Sequence, residues 1–127
     1  MKKIQLLNIP NYYSSYYLLG LKEHYDLVVE QSELFRKYNN KPLLIYRLEG
    51  KIVVIDNDDP SGIDQELYNE ATLYFVTNKL KDSAAYSQTK IRPLFPHYPI
   101  NAAGLYTRVF GLQLLKNLPL KDVARQL

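Results

Sequence analysis

Ile52 to Pro60 reads Ile-Val-Val-Ile-Asp-Asn-Asp-Asp-Pro and gathers three carboxylates, Asp56, Asp58 and Asp59, within four positions. Carboxylates set this closely can hold a divalent cation, orient the hydroxyls of a ligand, or take a proton from an attacking group. The four β-branched apolar residues before them read as a strand buried on both faces. Pro60-Ser61-Gly62 then turns the chain. The acids therefore stand at the carboxyl end of a buried strand, the edge where open α/β sheets bind ligands.

Several chemistries use such a cluster. Asp56-Asn57-Asp58 has the D-x-D spacing that holds a metal beneath a nucleotide-sugar diphosphate, but such catalytic domains need a longer chain with a nucleotide-binding half in front. A haloacid-dehalogenase-like phosphatase would use Asp56 as nucleophile, Asp58 as acid and Thr77 for phosphate. It also needs a later lysine and acidic pair, and after Thr77 the only acids are Asp82 and Asp122. A response-regulator receiver would place its phosphorylated Asp near Asp56, Thr77 on the next strand and a basic residue at Arg92. Asn8 and Asn11 stand where its metal-binding acids belong, so only a degenerate, non-catalytic interaction domain of that kind remains as an alternative. The same acids also suit plain capping of the helix after Ile63 and surface solvation. His24 and His97 are unpaired in sequence, and no glycine-rich phosphate loop, zinc spacing, nucleophile elbow or nucleic-acid motif occurs. No metal ligands, no cofactor and no nucleic-acid partner are assigned.

The elements that must position these groups follow in order. Lys3 to Asn8 reads as a short strand, and Asn11 as the cap of a helix running to His24. Tyr13, Tyr16, Tyr17, Leu21 and Tyr25 recur at helical spacing and predict its buried face. Gly20 inside that helix predicts a close approach to the sheet. Leu27 to Glu30 is a second strand, and a helical turn is expected near Leu34-Phe35. Leu43 to Leu48 and Lys51 to Asp56 are joined by Glu49-Gly50, a two-residue connection that predicts an antiparallel hairpin. Ser61 is the expected cap of a helix from Ile63 to Glu70, with Asp64 and Glu66 in its first turn. Thr72 to Thr77 is a buried strand, Lys81 to Thr89 a loop or frayed helix, and Lys90 to Phe95 a last short strand. Pro93, Pro96 and Pro99 interrupt regular structure before a helix from Asn101, with Leu105, Val109, Leu112 and Leu115 or Lys116 on one face. Leu120 to Leu127 reads as a further helix. These elements predict one α/β domain over residues 1–127: a three-layer Rossmann-like sandwich, mostly parallel, with one antiparallel hairpin (43–48/51–56).

Bulk properties narrow the class. The 127 residues, 46% hydrophobic, suffice for one domain with a core. There is no cysteine, which excludes disulfides and thiolate metal sites. The apolar run after Met1-Lys-Lys is too short for a signal peptide or a membrane span, so a cytoplasmic setting is expected. The net charge of +3 conceals an asymmetry: Asp56, Asp58, Asp59, Asp64, Glu66 and Glu70 lie between Lys51 and Lys79 with no Lys or Arg among them. An acidic middle in a basic remainder suits a site near anionic partners, and an ordinary solvated surface equally. The 12 tyrosines offer flat apolar faces with hydroxyls, which suit sugar or lipid-headgroup contacts and half-buried surfaces alike.

Over residues 4–101 the order and spacing of several stretches resemble the N-terminal half of bacterial two-domain, GT-B type glycosyltransferases of surface-polysaccharide synthesis. Tyr16-Tyr17-Leu18-Leu19-Gly20-Leu21 resembles their tyrosine-rich first helix, and Ile55 to Asp59 the acidic turn after a core strand. Ala71 to Lys79 is similar to their Ala-Asp-x-Tyr-Phe-Lys-x-Asn segment, and Lys90 to Pro96 to their Lys-Ile-x-Pro-Leu-x-Pro stretch. His97-Tyr98-Pro99-Ile100 departs from the small and glycine residues that follow there. The resemblance implies the acceptor-binding half of a larger enzyme, inactive alone, with the nucleotide-sugar donor held by a C-terminal domain. It implies a glycan or lipid-linked sugar acceptor, peripheral contact with the inner face of the membrane, and a binding edge formed by Asn8, Asn11, Tyr12, Tyr13, Asp56, Asn78, Lys79, His97 and Tyr98. Asp58 or Asp59 is the expected base, and Lys79, Lys81 and Arg92 are the expected cations facing a lipid pyrophosphate.

Overall fold

The computed structural model describes residues 2–58, 63–77, 88–94, 104–112 and 114. Five strands run parallel and one runs against them in a six-stranded sheet of order β2-β1-β3-β4-β5-β6. These are β1 (Lys3–Leu6), β2 (Asp26–Val29), β3 (Leu43–Leu48), β4 (Lys51–Asp56), β5 (Leu73–Val76) and β6 (Ile91–Pro93). β3 is the reversed strand: it pairs antiparallel with β4 from Leu43↔Asp56 to Leu48↔Lys51, and antiparallel with β1 on its other side. The expected hairpin is thus present, and the pairing with β1 adds a second antiparallel contact. Glu49 and Gly50 both have positive φ, 51° and 79°, as a two-residue turn of the primed type requires.

Strand alternation sends side chains to two cores. Ile4, Leu6, Leu44, Tyr46, Val53 and Ile55 face α1 (Ser15–His24) and α3 (Leu105–Phe110). Leu43, Ile45, Val54, Tyr74, Val76 and Ile91 face a 3-10 turn (Arg36–Tyr38) and α2 (Gln65–Glu70). The result is a three-layer α/β sandwich of the Rossmann-like kind. Val53 to Asp56 are all buried, which makes β4 the doubly covered strand that its β-branched run predicts.

Three local expectations are corrected. The helix before β2 fully buries Ser15 and Leu18; of the expected face, Tyr17, Leu21 and Tyr25 pack half-buried against the core, whereas Tyr13 and Tyr16 are 45% and 41% exposed. Tyrosine can leave its hydroxyl and part of its ring wet, so helical spacing of Tyr marks the core less well than spacing of Leu. Leu105 is buried and Val109 packs against the core as expected, but Leu112 is exposed, and Tyr106, Phe110 and Leu114 complete the buried face. The turn expected near Leu34-Phe35 is present, closed by the Phe35 amide on the Ser32 carbonyl at 3.3 Å, and it runs on into the 3-10 turn Arg36–Tyr38. Gly20 makes no close approach, because a Cβ built on it meets no atom within 4 Å. Gly20→Ala should therefore stabilise the chain by about 0.5–1 kcal/mol, read as a raised denaturation midpoint, because helix propensity acts there without a clash.

α2 shows a fourth difference. Its cap is Asp64, whose carboxylate Oδ1 accepts the Leu67 amide at 2.9 Å, so Asp64 stands one step before the helix rather than in its first turn. Asp64→Ala should cost about 1–2 kcal/mol in urea denaturation, from the lost cap and the Tyr38 hydroxyl that also donates to Oδ1 at 3.3 Å. Ser61, Asn101, residues 81–87 and Leu120 to Leu127 lie outside the described residues.

Candidate functional site at the carboxyl edge of the sheet

β4 delivers Asp56 as its last residue, pointing to the α2 side of the sheet. The side chain is 6% exposed, and both carboxylate oxygens are engaged. The Tyr74 hydroxyl donates to Oδ2 at 2.6 Å, and the Asp58 amide donates to Oδ1 at 2.9 Å. The Tyr74 oxygen in turn accepts the Asp64 amide at 3.3 Å. One carboxylate therefore ties together the turn after β4, the middle of β5 and the start of α2. Burial holds the Asp56 pKa above the usual carboxylate value; the Tyr74 hydroxyl and the Asp58 amide pull it back, and the negative charges of Asp58 and Asp64 push it up. Burial and the neighbouring Asp56 charge also raise the Tyr74 phenol.

This cluster walls a cavity of about 420 Å³. Asp56, Asp58 and Asp64 supply acceptors, Lys37 and Lys41 supply cations, and Tyr38, Pro42, Leu43 and Ile63 supply apolar or aromatic surface. Lys37 is paired with Glu66 of α2 at 2.6 Å. The pair is exposed on both sides and contributes little to stability. The acids thus outnumber the cations on the cavity wall, and one of the two cations already has a carboxylate partner.

The turn after β1 reaches the same edge. Asn11 caps the short 3-10 turn Tyr12–Ser14 through its Oδ1, which accepts the Tyr13 amide at 3.1 Å. Its carbonyl accepts the Tyr106 hydroxyl at 2.6 Å, and its amide donates to the Lys41 carbonyl at 2.9 Å. Asn57, next to Asp56, donates to the Ser14 hydroxyl at 2.8 Å and so joins the two turns. Tyr12 and Tyr13 stack at 4.4 Å between ring centres, each 45% exposed.

Asn11, Tyr12, Tyr13, Asp56 and Asp58 are therefore brought to one edge, as their positions after parallel strands require. Asn8 is there too, but it is fully buried and its amide is spent on the backbone. Its Nδ2 donates to the Tyr38 and Leu43 carbonyls at 3.0 and 2.7 Å, and its Oδ1 accepts the Ile45 amide at 2.9 Å. Asn8 is a brace between β1 and β3 and presents nothing to a ligand. Arg92 donates to the Thr89 and Ile91 carbonyls at 2.6 and 2.9 Å. Asp59, Asn78, Lys79, Lys81, His97 and Tyr98 lie outside the described residues.

Sequence reasoning did not single out Tyr38, Lys37, Lys41 or Asp64 for this site, and it read Tyr74 only as part of a family-like segment. Tyr74 was within reach: a parallel β4–β5 register places it beside Val54 on the face that also carries Asp56. Lys37 and Lys41 come from an irregular connection whose path no local pattern reveals.

The competing chemistries fare less well. The antiparallel β3 departs from the all-parallel sheet of a receiver. A nucleophilic Asp56 would have to reach its substrate from a buried position in which each oxygen already accepts a hydrogen bond. Among the described residues, no three ligand-type side chains are grouped to hold a metal. Also among the described residues, no helix is long and apolar enough to cross a membrane. Comparison with family models, characterised proteins and solved structures produced no match.

Proposed function

We propose that this chain is the acceptor-side domain of a sugar-transferring enzyme, and that the acidic cavity at the end of β4 receives the acceptor. The observation that carries this reading is the placement of three carboxylates around one 420 Å³ cavity at the carboxyl edge of the parallel strands. That edge is the general ligand-binding position of open α/β sheets, and the strand order reverses there, between β1 and the β3–β4 hairpin. Sugar hydroxyls donate readily to carboxylates, the Lys41 ammonium can donate to ring or hydroxyl oxygens, and the Tyr38 ring supplies a flat apolar wall.

The roles divide by exposure. Asp58 is exposed and lines the cavity, so it meets the attacking hydroxyl and serves as its base. Asp56 stands behind it and fixes its backbone through the Asp58 amide. The resemblance to GT-B type enzymes of surface-polysaccharide synthesis supports the same assignment. In that scheme a separate domain holds the nucleotide-sugar donor, and the acceptor is a glycan or a lipid-linked sugar met at the inner face of the membrane.

The test is calorimetric binding of soluble oligosaccharides and of a short-chain lipid-linked monosaccharide to the chain and to Asp58→Asn. The account expects weak binding that falls about tenfold, or ~1.4 kcal/mol, in the variant. Equal binding by both proteins, or binding by neither, sinks it.

A further inference from the structure

The opposite face of the sheet holds a second cavity, of about 700 Å³, beside α1. β4 separates the two cavities: Ile55 lines this one and Asp56 the acidic one, since consecutive strand residues point to opposite faces. Its walls include the rings of Tyr16, Tyr17 and Tyr25, with Leu21 beside them. Tyr16 and Tyr17 meet edge to face at 5.3 Å.

Gly20 lies on the same wall and gives the cavity its meaning. Glycine inside a helix is unfavourable relative to alanine, so a physical reason for it is sought. Neither usual reason holds. Its φ is not positive, and no atom lies within 4 Å of a Cβ built on it. What the missing side chain leaves is open space on a wall that also carries Tyr16, Tyr17 and Tyr25. Lys2 and Glu23 bring opposite formal charges to the wall, His24 lines it as well, and the Lys2 ammonium is held by Glu49 at 2.6 Å. A site without excess charge does not select an ion. A volume in the range of small-molecule pockets, with three tyrosines on its wall and Lys2, Glu23 and His24 at hand for hydroxyls, suits a ring.

We propose that the cavity beside α1 is a second ligand site, which takes an uncharged ring-bearing molecule stacked on the tyrosines, and that Gly20 keeps it open. This site is separate from the acceptor reading, because it lies on the other face and shares no residue with the acidic cavity. A pyranose ring and an aromatic ring share the required chemistry.

The experiment is an amide NMR titration of the full chain with methyl β-glucopyranoside and, separately, with p-cresol, each to about 50 mM. Saturable shifts at residues 16–25 are expected with at least one probe, apart from any at the carboxyl edge of β4, and the probe that responds there names the ring class. Gly20→Leu fills the volume and should weaken that binding at least ~10-fold with the thermal midpoint unchanged or raised. Tyr16→Ala, at an exposed position that the core does not use, should weaken it by ~3-fold or more. No shift with either probe overturns the proposal, and so does binding that persists undiminished in both variants.

Discussion

Replacing Asn8 with alanine is expected to destabilise the chain by about 4 kcal/mol. Its side chain is wholly buried and makes three hydrogen bonds of 2.7 to 3.0 Å, all to main-chain groups. Alanine would leave the Tyr38 and Leu43 carbonyls and the Ile45 amide without this partner. Each buried group left unpaired costs about 1–3 kcal/mol, and some relaxation or an entering water recovers part of the sum. Asn8→Asp should be no milder, since its carboxylate would face two carbonyl oxygens. Urea denaturation at neutral pH reads the effect as a lower midpoint. A loss below about 1 kcal/mol would show that the amide does not brace β1 against β3.

Tyr74→Phe should have the second largest effect, about 2–3 kcal/mol at neutral pH, because a hydrogen bond to a charged group is worth more than a neutral one. The removed hydroxyl donates to Asp56 and accepts from the Asp64 amide, so one oxygen serves both β4 and the start of α2. The cost also depends on pH. Burial raises the folded-state pKa of Asp56 above its unfolded value, so the folded chain binds the proton more tightly. The contribution of Asp56 to stability is therefore fully present below the unfolded pKa and is lost as pH rises through the folded one. The Tyr74 hydroxyl opposes this shift, because it favours the ionised carboxylate. Without it the folded-state pKa moves further up. The penalty of Tyr74→Phe is accordingly largest above that pKa and shrinks as pH falls below it. A penalty that stays constant from pH 7 to about pH 3.5 would contradict the charge-assisted bond.

Much of the fold was legible because its strongest signals are local. Glu49-Gly50 demands a turn with two positive φ values, which sets the β3–β4 register and with it the position of Asp56 at the sheet edge. The β-branched run Ile52 to Ile55 marks a strand covered on both sides. Tyrosine was the less legible residue. Tyr13 and Tyr16 sit at core spacing yet stay half exposed, whereas Tyr74 is fully buried in a strand of similar composition. A phenol follows whatever partner its hydroxyl finds, and for Tyr74 that partner is Asp56, 18 positions away in sequence. Asn8 misled in the opposite way. A polar residue after the first strand reads as ligand-facing until the reversed β3 supplies its buried partners.

The most direct test of the central claim is where a saccharide lands on the chain. Amide NMR shifts should be mapped with a panel of neutral oligosaccharides, with Asp64→Asn and Asp58→Asn beside the wild type. The account predicts saturable shifts centred on Lys41 to Leu43, Asp56 to Asp58 and Ile63 to Asp64, reduced in both variants. Shifts confined to the face that carries α1, or none at the carboxyl edge of β4, would contradict it.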